Sequence, residues 1–370
     1  MEIRSDAMKG LYIHIPFCEH ICHYCDFVKR VPKNQEMIDS YLQALSREIE
    51  SYRSHFHTIE TVYIGGGTPS MLSTDQLKYL LEGLKDIHPI EFTIEVNPES
   101  YHPDKGIIFK QFGINRISLG VQTFDQNLLE YLNRKHTKEQ VFQVVDHLKS
   151  IGIERISVDL IYAIPGQTID LLKEDLKLID ELSITHVSCY SLILEEKTYF
   201  YHQYLRGKFE RLDEDTEANM YQLVMDELKK QGFKHYEISN YAKQGHVSLH
   251  NLIYWTLGDF IGVGLGAHGF IRGIRTYNHQ SLPKYLAEPM ERNEIQDQEM
   301  LLQDELIFGL RKIEGVSLTE IYQKYGVDVM MKYPQLKEKM EIGLIEITND
   351  HLKLTDKGIF LGNQVFMVFI

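Results

Sequence analysis

Six short runs rich in Ile, Val, Tyr and Thr, separated by amphipathic stretches, organise the first half of the chain: Gly10–Ile15, Glu60–Ile64, Glu91–Val96, Arg116–Val121, Arg155–Tyr162 and His186–Leu194. Runs of this kind read as strands buried on both faces. The stretches between them have readable ends. Ser73 with Gln76 forms a capping-box pattern ahead of Leu77, Leu80, Leu81 and Leu84 on one helical face. Thr137 with Gln140 repeats it ahead of Val141, Val144, Val145 and Leu148, and Gly152 supplies the stop. Sustained strand–helix alternation requires right-handed βαβ units and a parallel sheet. Six units fall short of the eight of a closed barrel. The expected fold is therefore α/β, a partial (β/α)6 TIM-like barrel over residues 1–195.

After Glu195 the pattern changes. A helix is predicted over Asp213–Gln231, then a short strand at Tyr236–Ile238 and a Gly-rich turn region, which together make an extension over 196–300. Arg292–Gln303 is charged and predicts an exposed helix leading into a last module, 301–370. That module reads as helix, helix, a hairpin of Gly343–Thr348 with His351–Thr355, and a closing helix, the order of a small winged-helix-like domain. The apolar tail Ile359–Ile370 packs on its own module in the favoured reading, with membrane contact as the alternative.

With 370 residues and 43% hydrophobic residues, the chain can bury a core without disulfide or metal staples. The net charge of −14 argues against nucleic acid as the main partner. Leu11–Phe17 is too short for a signal peptide and no run reaches the ~20 apolar residues of a membrane span, so a cytoplasmic location is expected, with peripheral membrane contact left open. Met8 is a plausible alternative start.

Three of the four cysteines fall within eight residues, Cys18-x3-Cys22-x2-Cys25, directly after the first strand. This grouping suits a metal site in a reducing compartment better than a disulfide framework. Thiolates are the ligands Fe–S clusters require, and three of them leave one iron open for an exchangeable ligand. The alternative is zinc, with His14, His20 or His23 as fourth ligand. Cys189, among Val187, Tyr190 and Leu192, reads as a small core residue. Gly65–Gly67 permits close backbone approach to a ligand. Gly262–Gly266 invites a dinucleotide reading, but no suitable strand–helix unit surrounds it, and close backbone packing is preferred.

The ordered motifs YIHIPFC (Tyr12–Cys18), GGGTP (Gly65–Pro69), EVNP (Glu95–Pro98), GVQTF (Gly120–Phe124), DLIY (Asp159–Tyr162), YEISNYA (Tyr236–Ala242), HNLIYW (His250–Trp255) and GVGLGAH (Gly262–His268) resemble those of radical S-adenosylmethionine (SAM) proteins of the coproporphyrinogen dehydrogenase type. The resemblance covers nearly the whole chain. It implies a [4Fe–4S] cluster on Cys18, Cys22 and Cys25, and SAM contacts at Tyr12, Gly66 and Glu95. Gln122, Arg134 and Asp159, with Tyr24, Gly67, Thr68 and Ile193, match positions that contact a second SAM in the enzyme. Ala267 joins the cofactor-binding set. Arg134 suits a carboxylate, while Glu95 and Asp159 suit an ammonium or ribose hydroxyls. A structural ion pair is the alternative role for Arg134 and Asp159.

Two functions share this fold. One is oxidative decarboxylation of coproporphyrinogen III, started by a 5′-deoxyadenosyl radical. The other is a heme chaperone that passes heme to recipient proteins, with membrane respiratory enzymes among the candidates, and that needs a reductant for its cluster. Three departures favour the chaperone branch. The dehydrogenases carry a fourth cysteine where this chain has Phe27; they have a longer segment before the cysteines than the 17 residues here; and HNxxYW is typical of the chaperones. In that motif His250 is the expected heme ligand, with Tyr254 and Trp255 offering flat apolar area. The alternative is a structural histidine satisfied by its surroundings. Oligomeric state stays open, a dimer included.

Overall fold

In the computed structural model, which describes residues 9–370, all six expected strands lie side by side in chain order. They are β1 (Gly10–Ile15), β2 (Thr61–Gly66), β3 (Glu91–Val96), β4 (Arg116–Gln122), β5 (Arg155–Tyr162) and β6 (His186–Ser191), parallel throughout. The Met8 start lies outside the described residues. Both capping boxes form, at Ser73 with Gln76 and at Thr137 with Gln140. Gly152 takes φ +79°, which ends its helix at little cost. Helices such as Ile169–Leu182 bury one stripe, here Leu172, Leu176, Ile179 and Leu182, against one face of the sheet. Cys189 is buried in that layer as expected.

The sheet then grows at both edges, which the sequence reading largely missed. Beside β6 run β7 (Lys234–Glu237) and β8 (Asn240–Ala242); beside β1 run β9 (Phe260–Val263), β10 (His268–Ile271), β11 (Ile274–Asn278) and β12 (Met290–Ile295). The order is β12-β11-β10-β9-β1-β2-β3-β4-β5-β6-β8-β7, a twelve-stranded sheet. β9 is parallel to β1, and β10 to β12 return antiparallel. The exposed helix predicted over Arg292–Gln303 is corrected here. Residues 290–295 form the edge strand β12, and the helix starts only at Gln298, behind an Asp297 cap. An edge strand exposed on both faces carries charges that discourage further pairing, and that charge imitates a solvated helix in sequence.

The Gly-rich run is close packing, as preferred. β9 leads by a turn into β10 with no intervening helix. A Cβ at Gly262 would sit 1.8 Å from the His268 carbonyl oxygen. The turn is anchored by buried Glu48, whose carboxylate accepts from the Gly264 N–H (2.9 Å) and the Tyr285 hydroxyl (2.6 Å).

The C-terminal module has the expected winged-helix order with one addition. β13 (Val316–Ser317), too short to show a period, joins β14 (Ile345–Thr348) and β15 (His351–Leu354) in the order β13-β15-β14. The module is stitched to the extension by Ile238 N–H to Arg311 O (3.0 Å) and Ile313 N–H to Tyr236 O (3.1 Å). Its tail packs inward: Val365 and Phe369 are buried, with Phe369 edge-on to Tyr333 at 5.0 Å. Among the described residues no helix is long and apolar enough to cross a membrane.

Candidate functional site

The face of the parallel sheet opposite the helices lines a cavity of about 370 Å³. Successive side chains of a strand point to opposite faces, so one parity of each strand faces it. Thr93 and Glu95 come from β3; Arg116, Ser118, Gly120 and Gln122 from β4; Ser157 and Asp159 from β5; and His186, Ser188 and Tyr190 from β6. Cys18, Cys22 and Cys25 line the same cavity.

The cysteine loop leaves β1 and is closed on itself by Cys18 N–H to Arg30 O (3.0 Å) and Arg30 N–H to Pro16 O (2.7 Å). It is held from outside by His23 N–H to Leu132 O (3.1 Å) and Asn133 Nδ2 to Ile21 O (2.8 Å). Burial pushes the Cys18 thiol up to about 11 and raises that of Cys25, so metal binding there must displace protons. Among the described residues no three His, Cys, Asp or Glu side chains converge as one ion requires. Three thiols on one loop lining the cavity are a donor set that fits three irons of a cluster. His14, offered above as a zinc ligand, has both nitrogens engaged, by the Tyr12 hydroxyl (3.0 Å) and Val28 O (2.7 Å).

The glycine turn abuts this loop. Gly67 N–H donates to Ile15 O (2.7 Å) and Thr68 N–H to Phe17 O (2.8 Å). Gly66 has φ +113°, and a Cβ there would meet the His14 ring at 2.5 Å. Its N–H donates to Glu95 Oε2 (2.9 Å), while Tyr63 donates to Oε1 (2.9 Å). Burial first, then nearby Asp159, pushes Glu95 up to about 7 despite those two hydrogen bonds. Burial likewise pushes Asp159 up to about 6 against hydrogen bonds from Ser188 and Ser118. Two such carboxyl groups in one cavity are a seat for a cation or for hydroxyl groups.

Arg134 is buried and donates to Gly120 O (2.6 Å), pairs with Glu99 (3.4 Å) and reaches Cys22 Sγ at 3.8 Å. The structural ion pair weighed for it is thus present, with Glu99 as partner. Burial alone would raise Glu99, but the His136 hydrogen bond and the Arg134 guanidinium outweigh it and hold Glu99 at about 2. Asp159 instead pairs with the Ser118 hydroxyl, 3.2 and 3.1 Å from its two oxygens.

The cavity therefore gathers Tyr24, Gly66, Gly67, Thr68, Glu95, Gln122, Arg134, Asp159 and Ile193 around the thiols. Three expected residues stand apart. Tyr12 lies behind Tyr63, ring centroids 6.2 Å apart, bonded to His14. Ala267 is buried, its backbone spent on Gly264 O (3.1 Å) and Asn278 N–H (2.9 Å). His250 corrects the expectation of a free heme ligand. Its Nδ1 bonds the Thr61 hydroxyl (2.7 Å), its Nε2 the Tyr254 hydroxyl (2.8 Å), and it is fully buried. No lone pair is left for iron, which is the structural alternative. Tyr63, Ser118, Ser188 and Tyr190 were missed, although period-two polar positions in the strands pointed to them.

Fold and thiol-lined cavity together define the radical SAM class. Residues 12–179 match the Radical SAM superfamily and residues 296–361 the HemN C-terminal domain. The fold is that of a solved structure, coproporphyrinogen III oxidase (HemN) from Escherichia coli, with a TM-score of 0.86 at 24% identity over 99% of this chain and 91% of that one. Heme chaperone HemW of Lactococcus lactis is 40% identical over 98% of this chain and 97% of its own, and that of Bacillus subtilis 40% over 98% and 99%. Heme chaperone HemW of E. coli is 30% identical over 98% of both. The chain belongs to the HemW family.

Proposed function

We propose that this protein is a heme chaperone that holds a [4Fe–4S] cluster on Cys18, Cys22 and Cys25, binds SAM beside it, and hands heme to recipient proteins. The observation that carries this reading is 40% identity, over 98% of the chain, to proteins named heme chaperones. When bound, a reduced cluster with SAM supplies one-electron chemistry at the sulfonium. This chain's own residues do the rest. Gly66 and Gly67 admit the ligand to the backbone, Glu95 and Asp159 take its cationic or hydroxyl groups, and Arg134 braces the Cys22 side of the loop.

The test offers anaerobically cluster-loaded protein heme and coproporphyrinogen III separately. Heme should bind and pass to an apo-hemoprotein acceptor, and no porphyrinogen should be decarboxylated with SAM and reductant present. Turnover of ~1 per second or faster, typical of an enzyme, would reverse the assignment, as would heme that neither binds nor moves on.

A second expectation concerns SAM. If Glu95 meets a cationic group it is ionised in the complex, whereas burial holds it up at about 7 in the free cavity. Below that pH, binding must expel a proton. Affinity should be flat above pH 7 and fall on acidification, by up to about tenfold per unit, with proton release measurable by calorimetry in buffers of different ionisation enthalpy. Glu95→Gln should bind SAM more weakly and lose the part of that slope between pH 7 and 6, below which Asp159, held up at about 6, contributes its own. A wild-type affinity indifferent to pH would remove Glu95 from the contact set.

A further inference from the structure

The hexapeptide helix, Leu249–Trp255, borders two cavities. Ser248 and Asn251 line the cavity of the thiols, while Tyr254 and Trp255 line a second one of about 280 Å³. The walls of the second are aromatic: Tyr254, Trp255, Phe260, Phe270, Tyr277 and Phe308. Gly258 and Gly269 also line it. The rings brace one another, Tyr254 edge-on to Phe260 at 4.7 Å and Trp255 tilted against Phe308 at 6.4 Å. Aromatic faces of this kind fit a flat apolar ligand. The volume lies just below the usual lower limit of ligand cavities, ~300 Å³, so a larger ligand would extend beyond its mouth.

Leu257, His268 and Arg275 complete the lining, and the two polar ones narrow its chemistry. His268 opens β10, is solvent-exposed, and stands edge-on to Tyr277 at 4.7 Å. Within the described residues its ring makes no hydrogen bond. A neutral imidazole with an unbonded nitrogen is the form that ligates metals. The close approach of Gly262 to the His268 carbonyl sets the path of the backbone there. Arg275, one-third exposed, pairs with Asp304. Exposed Arg292 stacks over Tyr277 at 4.1 Å. Arg292 suits a carboxylate on the ligand, while Arg275 is already matched by Asp304.

We infer that this aromatic pocket is the heme site and that His268, rather than His250, is the iron ligand, with Arg292 at a propionate. The inference rests on the heme-carrier reading and adds the place. Trp255 of the hexapeptide is then a ring wall, and His250 is the buried strut that sets Tyr254 by hydrogen bond.

The test is heme titration into the full chain, comparing wild type with His268→Ala, His268→Gly, Trp255→Ala and exposed His57→Ala. His57→Ala should match wild type. His268→Ala should bind at least about tenfold more weakly with a shifted Soret band, and added imidazole should restore the wild-type band in His268→Gly. Trp255→Ala should lose affinity with the band unchanged. Cluster loading, read in every variant, reports folding independently of heme. Wild type that binds heme while both His268 variants keep its band and affinity overturns the site and leaves the carrier reading standing. Wild type that binds no heme overturns both.

Discussion

Replacing Cys18, Cys22 or Cys25 by alanine is expected to abolish the about four irons and four sulfides per chain that anaerobic reconstitution should install. The loss should be near total for each. The thiols lie in one loop, and each iron it holds depends on a single sulfur. The fold itself should survive, because the loop is closed by backbone bonds of Cys18 and Arg30 and held by Leu132 and Asn133, none of which needs a thiol. Cys189→Ala should retain the full cluster, since that thiol is buried in the helical layer away from the cavity. Iron and sulfide analysis with visible absorption checks this. Stoichiometric zinc without charge-transfer absorption would overturn the cluster and everything built on it.

Glu91→Ala should cost about 3–5 kcal/mol, a large share of the stability of an ordinary protein. Glu91 and Arg116 are both buried, their charged atoms 3.7 Å apart. Arg116 also donates to His246 O (3.0 Å), and Glu91 Oε1 accepts the His250 N–H (3.0 Å). The pair thus joins the starts of β3 and β4 to the segment that opens the hexapeptide helix. Without the carboxylate the buried guanidinium loses its ion-pair partner, which is why the cost exceeds that of a surface pair. Glu91→Gln should lose less, because it can still accept from His250. Urea unfolding compares the three proteins; a Glu91→Ala midpoint equal to wild type would show the pair to be dispensable.

How far the fold could be read in advance followed the range of the forces involved. The six parallel strands and both capping boxes were legible because periodicity and caps act within a few residues. β8 to β12 were not. β8 to β11 run only three to five residues, too few to show a period, and the two rows are anchored through β8 on β6 and β9 on β1, strands already in place. β12 went further and read as a helix, its edge charges having no buried face to betray a period of two. In the cavity, the thiols, the glycine turn and Glu95 were visible as motifs. Tyr63, Ser118 and Ser188 announce themselves only once the strand parity facing the cavity is known.

The two histidines near the hexapeptide mark the boundary most clearly. By itself the sequence determined the α/β class, the thiol loop at the end of the first strand, and the aromatic character of the hexapeptide, since each depends on residue type and local spacing. Only the tertiary structure decided which imidazole keeps a lone pair. His250 spends one nitrogen on Thr61, 189 positions away, and the other on Tyr254, while His268 is brought beside the same aromatic rings with neither nitrogen bonded. A nitrogen's availability to a metal depends on what folding places within hydrogen-bond reach, and that is not a property of the residue or its neighbours in sequence.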